Sequence, residues 1–286
     1  MYTLSSKLKL TAIILVIVGA IGLVYGFIST PSNEEELKEL LAADAHGEHG
    51  AEHDEASATT AEHGMAVGEA HAASSKEHGE TAHAAGEHGD SHMEHLLHQF
   101  QTKPWSALFV SAFFFFMIAL GALVFYAIQY VAQAGWSPVL FRVIEGVTNY
   151  LLPGSIIVVL IVIFAGTHFY PWQNHELVEE DVILQGKSGY LNFPFFVIRA
   201  IIYLIGWNLY RYVSRRNSLA QATATTLTPY KKNFKASVFF LLFFVITETT
   251  MAWDWFMSMT PHWYSTLFAW YIFASMFVSA ITVIAL

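Results

Sequence analysis

The chain has 286 residues, of which 55% are hydrophobic and only 13% are charged. An ordinary soluble domain carries about 25% charged residues, so this composition argues against a water-soluble globule. A net charge of −9 does not favour a nucleic-acid partner. Cysteine is absent, which excludes disulfides, cysteine-ligated iron–sulfur clusters and covalently attached c-type haem in this chain.

Six apolar stretches approach or exceed the roughly 20 residues that a helix needs to cross about 30 Å of hydrocarbon. We therefore predict an all-α integral membrane protein, a polytopic helical bundle with about six transmembrane helices. The predicted spans are 8–28, 105–131, 150–169, 193–213, 236–257 and 263–286. The first could be a signal peptide, but it is long and lacks a small-residue cleavage site, which favours an uncleaved anchor in 1–28.

Lysine and arginine residues predict the orientation, because basic residues near helix ends stay on the cytoplasmic side. With a cytoplasmic N-terminus, nine basic residues lie at inner ends: Lys7, Lys9, Arg142, Arg211, Arg215, Arg216, Lys231, Lys232 and Lys235. Four lie in outer segments: Lys38, Lys76, Lys103 and Lys187. The segment 29–104 and the loop 170–192 are then expected to face outward.

Residues 29–104 form a His- and Glu-rich insert that holds eleven of the fourteen histidines, sixteen acidic residues and three basic ones. With few large apolar residues it cannot offset the entropy lost on ordering, so we expect it to be mostly disordered and periplasmic. Imidazole and carboxylate together suit zinc, nickel or copper. Glu-His-Gly repeats provide the candidate metal ligands His49, His63, His78 and His88. Weak metal binding by a flexible acidic insert is one interpretation, and metal capture or pH buffering is the other.

Apart from Lys9 and Arg211 at the span ends, three charged residues fall inside the predicted spans: Arg199, Glu248 and Asp254. A charge at the centre of a membrane helix costs at least about 2.5–3.5 kcal/mol, so each needs a partner or a task. In the fifth predicted span Thr247 and Thr250 share one stripe with Asp254, since they recur at spacings of three and four. Glu248 and Asp254 lie roughly 9 Å apart along the helix axis, too far for a tight carboxylate pair.

The fourth predicted span carries one polar face, formed by Asn192, Arg199, Tyr203, Gly206 and Tyr210. This face is expected to point into the bundle.

His168 ends the third predicted span, and His262 lies in the turn before the sixth. With Arg199, Glu248 and Asp254 they make a candidate site in which tuned histidines and carboxyls pass protons or bind a quinone carbonyl. The alternative is that Arg199 and a carboxylate form a buried ion pair that sets helix register, with both histidines merely interfacial.

Two longer motifs carry a family resemblance: Lys187-Ser-Gly-Tyr-Leu-Asn-Phe-Pro-Phe-Phe-Val-Ile-Arg199 and Asp254-Trp-Phe-Met-Ser-Met-Thr-Pro-His-Trp-Tyr-Ser-Thr-Leu-Phe268. They resemble the NrfD/polysulfide-reductase-like membrane subunits of bacterial alternative complex III, most of all its ActF subunits. The resemblance covers 105–286. It implies a ten-helix protein, so we expect this apolar bundle, which runs to Leu286, to be the N-terminal part of one.

The resemblance also implies a respiratory quinol:cytochrome c oxidoreductase, or one with another acceptor, in the bacterial inner membrane. The expected partners are lipid, a related NrfD-like membrane subunit, an iron–sulfur subunit and a multihaem cytochrome c subunit. Quinone or menaquinone is the expected diffusible cofactor, and the haem and iron–sulfur clusters belong to partners. Relatives often carry an acid before Pro-His-Trp, where this chain has Thr260, which favours a proton-path or structural role here.

Two other functions compete with this non-redox respiratory subunit. One is a metal-ion transporter, or a metal-binding membrane protein, whose outer loop gathers cations. The predicted spans contain few carboxylates and no His and acid at i,i+4, which argues against it. The other is a purely structural anchor.

The orientation can be tested directly, because single cysteines introduced into a cysteine-free chain react unambiguously. Thr225→Cys should react only when the cytoplasmic side is accessible, and Ser57→Cys should react with an impermeant maleimide added outside intact cells. Reversed labelling would invert the topology.

Overall fold

A computed structural model describes residues 6–48 and 84–286. Within these ranges the chain contains ten α-helices, four short 3₁₀ segments and no β-strand. The helices are α1 (Ser6–Ile28), α2 (Glu34–Glu48), α3 (Ala84–Val131), α4 (Phe141–Val147), α5 (Leu151–Phe169), α6 (His175–Glu180), α7 (Val182–Lys187), α8 (Phe193–Thr223), α9 (Thr228–Trp255) and α10 (Phe268–Ala285).

The described ranges contain five helical stretches that are long and apolar enough to cross a membrane. They are Leu96–Val131, Phe141–Phe169, Phe193–Thr223, Thr228–Met259 and Phe268–Ala285. The chain is therefore a multi-pass α-helical membrane protein, as its composition predicts. The first predicted span corresponds to α1, whose apolar stretch Ile13–Ile28 is shorter.

The chain divides into two compact units, Met1–Pro104 and Trp105–Leu286. In the first unit, α2 and the beginning of α3 make 34–48 and 84–104 helical, and the expectation that 29–104 is mostly disordered stays a prediction. Three glutamates in the first turn of α2 stabilise the helix, because they lie at the positive end of its dipole. The Lys38 ammonium also lies 3.7 Å from the Glu34 carboxylate.

Of the four candidate metal ligands of the insert, one belongs to a described helix. His49, His63 and His78 lie outside the described residues, and the backbone of His88 lies in α3.

In the second unit, the core is a stack of large aromatic side chains around α3. The Phe116 ring lies 6.2 Å from Trp207 of α8 and 6.3 Å from Trp255 of α9, measured between ring centroids. All three side chains are buried at 1% exposure or less. The aromatic residues of three helices therefore meet in one layer, which fixes α8 and α9 against α3.

Helices α8 and α9 form a long hairpin and pack along their length. Asn192 caps α8 by accepting a hydrogen bond from the Phe195 amide at 3.0 Å. Both helices extend past the predicted spans, so the basic segment 214–235 is mostly helical and the connection is only 224–227. A helix can continue outside hydrocarbon, because its backbone hydrogen bonds are made within the helix. The charged turns at the end of α8 and the start of α9 therefore extend both helices beyond their apolar runs.

Gly121 allows α3 and α10 to approach closely. A Cβ at this position would lie 2.8 Å from both the Met276 carbonyl oxygen and the Ala280 Cβ.

We expect Gly121→Ala to lower the free energy of unfolding by about 1–3 kcal/mol, because the helix backbones must separate. Gly146→Ala is the matched control, since a Cβ there meets nothing within 4 Å. Thermal unfolding in detergent would compare the two, and equal midpoints would contradict the close approach.

Candidate functional site

The hairpin brings Arg199 of α8 directly onto Asp254 of α9. Arg199 Nε donates to Asp254 Oδ2 at 2.7 Å, and Nη2 donates to Oδ1 at 2.9 Å. The Asp254 side chain is fully buried, and that of Arg199 is 9% exposed. Such a two-point guanidinium–carboxylate contact is strong and directional, so it sets the register of the two helices.

Neighbouring groups complete the bonding of this ion pair. The Tyr203 hydroxyl donates to Asp254 Oδ2 at 3.0 Å, and Arg199 Nη1 donates to the Tyr190 carbonyl at 3.2 Å. The rings of Tyr190 and Phe195 lie 3.9 and 4.2 Å from the guanidinium carbon. Cation–π contacts of this kind replace part of the hydration that the cation loses.

Further polar contacts continue along the same interface. Trp207 Nε1 donates to Thr247 Oγ1 at 3.0 Å, and the Tyr210 and Ser237 hydroxyl oxygens lie 2.7 Å apart. Phe240, stacked on Tyr210 with centroids 4.0 Å apart, is an apolar residue within this region. We call these contacts the polar seam: Arg199, Tyr203, Trp207 and Tyr210 of α8 with Asp254, Thr247 and Ser237 of α9.

A second buried carboxylate, Glu145 of α4, lies near the other end of α8. Its Oε2 accepts from Arg142 Nη1 at 3.0 Å and from Arg215 Nη1 at 2.8 Å. Its Oε1 accepts from the Tyr126 hydroxyl at 3.2 Å, and that hydroxyl accepts from Asn233 Nδ2 at 3.2 Å. Only 4% of the Glu145 side chain is exposed.

The sequence did not predict Glu145 as a site residue. It belongs to a helix of seven residues outside the predicted spans. The available signal was modest: Phe141 and Ile144, both buried, place an apolar face on the same short helix.

Glu248 is the third buried carboxyl, at 5% exposure. Among the described residues its Oε1 atom has no hydrogen-bond partner and its carboxylate forms no ion pair. It follows Thr247 of the polar seam directly along α9. Glu248 is therefore the buried carboxyl that can gain or lose a proton without breaking an ion pair.

The two candidate histidines contact other residues. His168 stacks on Trp105 with centroids 6.3 Å apart. His262 Nε2 lies 2.7 Å from Asp181 Oδ2, which joins the 256–267 turn to the loop before α7. Of the five predicted site residues, the structure brings Arg199 and Asp254 into direct contact as a buried ion pair.

Asp181 also caps α7. Its Oδ1 accepts from the Ile183 amide at 2.8 Å. The pKa of the Asp181 carboxyl is lowered: desolvation acts to raise it, but the Ile183 and Leu184 amides and His262 together outweigh that effect.

A cleft of about 360 Å³ lies beside the ion pair. Its lining includes Lys187, Tyr190, Trp253, Ser258 and Trp263. Tyr190 also covers the Arg199 guanidinium, and the Ser258 hydroxyl donates to the Asp254 carbonyl. Lys187 Nζ donates to the Pro261 carbonyl, which provides a second link between the segment before α8 and the segment before α10.

Over the described part of the chain, no group of three or more His, Cys, Asp or Glu side chains could hold a metal ion. Comparison with protein-family models and with curated proteins finds no match to this chain.

The ion pair can be tested by a double-mutant cycle. Arg199→Gln should lower the free energy of unfolding by about 3–5 kcal/mol, because it leaves a buried carboxylate uncompensated. Arg199→Gln with Asp254→Asn should recover part of that loss, because both charges are removed. Thermal or denaturant unfolding in detergent measures each corner, and additive effects would contradict the coupling.

Proposed function

We propose that this chain is a membrane subunit, without redox groups of its own, of a respiratory quinol:cytochrome c oxidoreductase or of one with another acceptor. In that complex it contributes a proton-transfer path and part of a quinone pocket. The observation that carries the proposal is the buried polar seam, which lies between carboxylates at the two ends of α8. The motifs at 187–199 and 254–268, which resemble those of alternative complex III subunits, support the same function.

Packing alone does not account for this arrangement. Polar and charged groups buried within a membrane are costly, and two apolar helices can associate through small residues and van der Waals contacts instead. Here successive turns of α8 each present a hydroxyl, indole or guanidinium group to a partner. The hydroxyl groups can relay protons and all of these groups can order water, although Phe240 means that water must bridge part of the route.

The three buried carboxyls suit different roles in this path. Asp254 and Glu145 are held by arginines, so they stabilise charge and position water at the two ends. Glu248 directly follows Thr247 of the polar seam along α9, and it is buried and without an ion pair among the described residues. We assign Glu248 as the proton carrier. His262 and Asp181 lie at the proposed outer end of this path.

The cleft next to the ion pair is the proposed contribution to the quinone pocket. Its tyrosine and tryptophan walls suit a flat aromatic headgroup, and the Ser258 oxygen can accept a hydrogen bond from a quinol hydroxyl. Quinone or menaquinone would thus bind within reach of Asp254 and Arg199.

The proposed setting is the bacterial inner membrane with the N-terminus in the cytoplasm. The proposed partners are a related NrfD-like subunit, an iron–sulfur subunit and a multihaem cytochrome c subunit. They supply the electron carriers, which fits a chain without cysteine. A metal-ion transporter is the alternative, and the small number of carboxylates in the predicted spans argues against it.

We expect Glu248→Gln to reduce proton release per quinol oxidised while the complex still assembles, because glutamine keeps the shape but cannot carry a proton. Asp254→Asn should reduce turnover as well. The measurement is quinol:acceptor activity and proton release from the purified complex in liposomes, with subunit content determined on a gel.

Glu179→Gln is the matched control, since Glu179 lies in α6 in the outer loop and outside the polar seam. Wild-type turnover and proton release in both Glu248→Gln and Asp254→Asn would contradict the proton path. Copurification with bound zinc or nickel, and without haem or iron–sulfur partners, would favour the transporter.

A further inference from the structure

Three arginines gather at one end of the α5–α8 pair. Arg142 and Arg215 both donate to Glu145, and Arg211 Nη2 donates to Asn149 Oδ1 just before α5. One carboxylate neutralises only one of the three cations. This group therefore carries excess positive charge at the end of a membrane span.

The arginines also keep unused hydrogen-bonding capacity. The Arg142 side chain is 48% exposed and that of Arg215 is 43% exposed, although Nη1 of each donates a hydrogen bond to Glu145. A guanidinium has five N–H donors, so several remain available on each. Arg211 Nε is buried without a hydrogen-bond partner among the described residues.

A separate observation is an apolar groove of about 290 Å³ between α5 and α8. Leu152, Ile156 and Leu160 form one side of it, and Ile201 and Ile205 form the other. The groove lies at a lipid-facing surface, because Ile156 is 55% exposed and Ile205 is 61% exposed.

The groove begins where the arginine group ends. Asn208, which lines the groove, lies one helical turn before Arg211, and Leu152 lies one turn after Asn149. Asn208 Nδ2 donates to Ser155 Oγ at 3.0 Å, which holds the two helices together at the head of the groove. A cationic site and an apolar channel are thus joined end to end on the same two helices.

We propose that this surface binds an anionic phospholipid, with its phosphate on Arg211, Arg215 and Arg142 and one acyl chain in the groove. The arginines are complementary to the phosphate charge, and basic pockets at the ends of membrane helices favour anionic lipid headgroups. The apolar groove requires a hydrocarbon chain beneath that headgroup, which a soluble anion lacks. This inference does not depend on the proposed respiratory function.

Native mass spectrometry of the full chain, in the complex in which it purifies, tests the site after delipidation in detergent. Dioleoylphosphatidylglycerol and dioleoylphosphatidylcholine are the probes, since they share acyl chains and differ in headgroup charge. The anionic dioleoylphosphatidylglycerol should bind more tightly than the zwitterionic dioleoylphosphatidylcholine. Each arginine contributes about fivefold, so Arg211→Gln should weaken binding about fivefold and Arg211→Gln with Arg215→Gln about thirtyfold.

The matched charge control is Lys231→Gln with Lys232→Gln, which removes two exposed charges of the same basic region from the start of α9. It should leave the affinity unchanged. For the groove, Ile156→Trp should displace the acyl chain and weaken binding, whereas Ile202→Trp, on an exposed position of α8 outside the groove, should not.

Equal affinity for the two lipids, or an equal loss in the lysine control, would overturn the proposal by showing only diffuse attraction. Loss of a protein subunit rather than a lipid in Ile156→Trp would assign the groove to a partner helix, which also overturns it. If the double arginine variant fails to fold, Arg211→Gln and the two tryptophan variants still decide the outcome.

Discussion

An ionised side chain within hydrocarbon needs a partner of opposite charge. The Arg199–Asp254 pair, which meets this constraint, organises the second unit of the chain. Asp254 is fully buried and is compensated by Arg199 across the α8–α9 interface. The contact uses two donors and both carboxylate oxygens, so a shift of either helix by one residue would break it. The register of the hairpin, the Trp207–Thr247 contact and the position of Tyr203 all follow from that alignment.

The hairpin gives α8 two different faces. Towards α9 it presents the polar seam, and towards α5 it presents isoleucines and leucines that leave a groove open to lipid. Arg215 belongs to the end where the two faces meet, since it binds the buried Glu145 and is still 43% exposed. One helix can therefore support the proposed proton path and the proposed lipid site at once.

The three buried carboxyls have different surroundings, and this difference is what supports separate roles. Protonation of Asp254 would leave the buried Arg199 cation uncompensated, and protonation of Glu145 would weaken its contacts with Arg142 and Arg215. Glu248 has no ion-pair partner among the described residues, so a change in its protonation does not carry that penalty. Glu248 is therefore the carboxyl that suits the proposed role of proton carrier.

The sequence by itself determined the membrane class, the approximate helices and the identity of three intramembrane charges. Apolar runs long enough to cross hydrocarbon can be recognised locally, and Arg199, Glu248 and Asp254 stand out because a charge within such a run is rare. The polar face of α8 was also predictable, and the structure confirms that Arg199, Tyr203 and Tyr210 are buried.

Only the tertiary structure decided which polar groups pair. The chain positions of Arg199 and Asp254 differ by 55, and those of Glu145 and Arg215 by 70, so helical periodicity carries no information about either contact. Glu145 was missed because its burial comes from neighbouring helices rather than from its own short helix. His262 was grouped with Asp254 by its predicted depth, whereas the folded loops place it against Asp181. Sequence pattern reports the local environment of a residue, and partners from distant segments are set by how the helices pack.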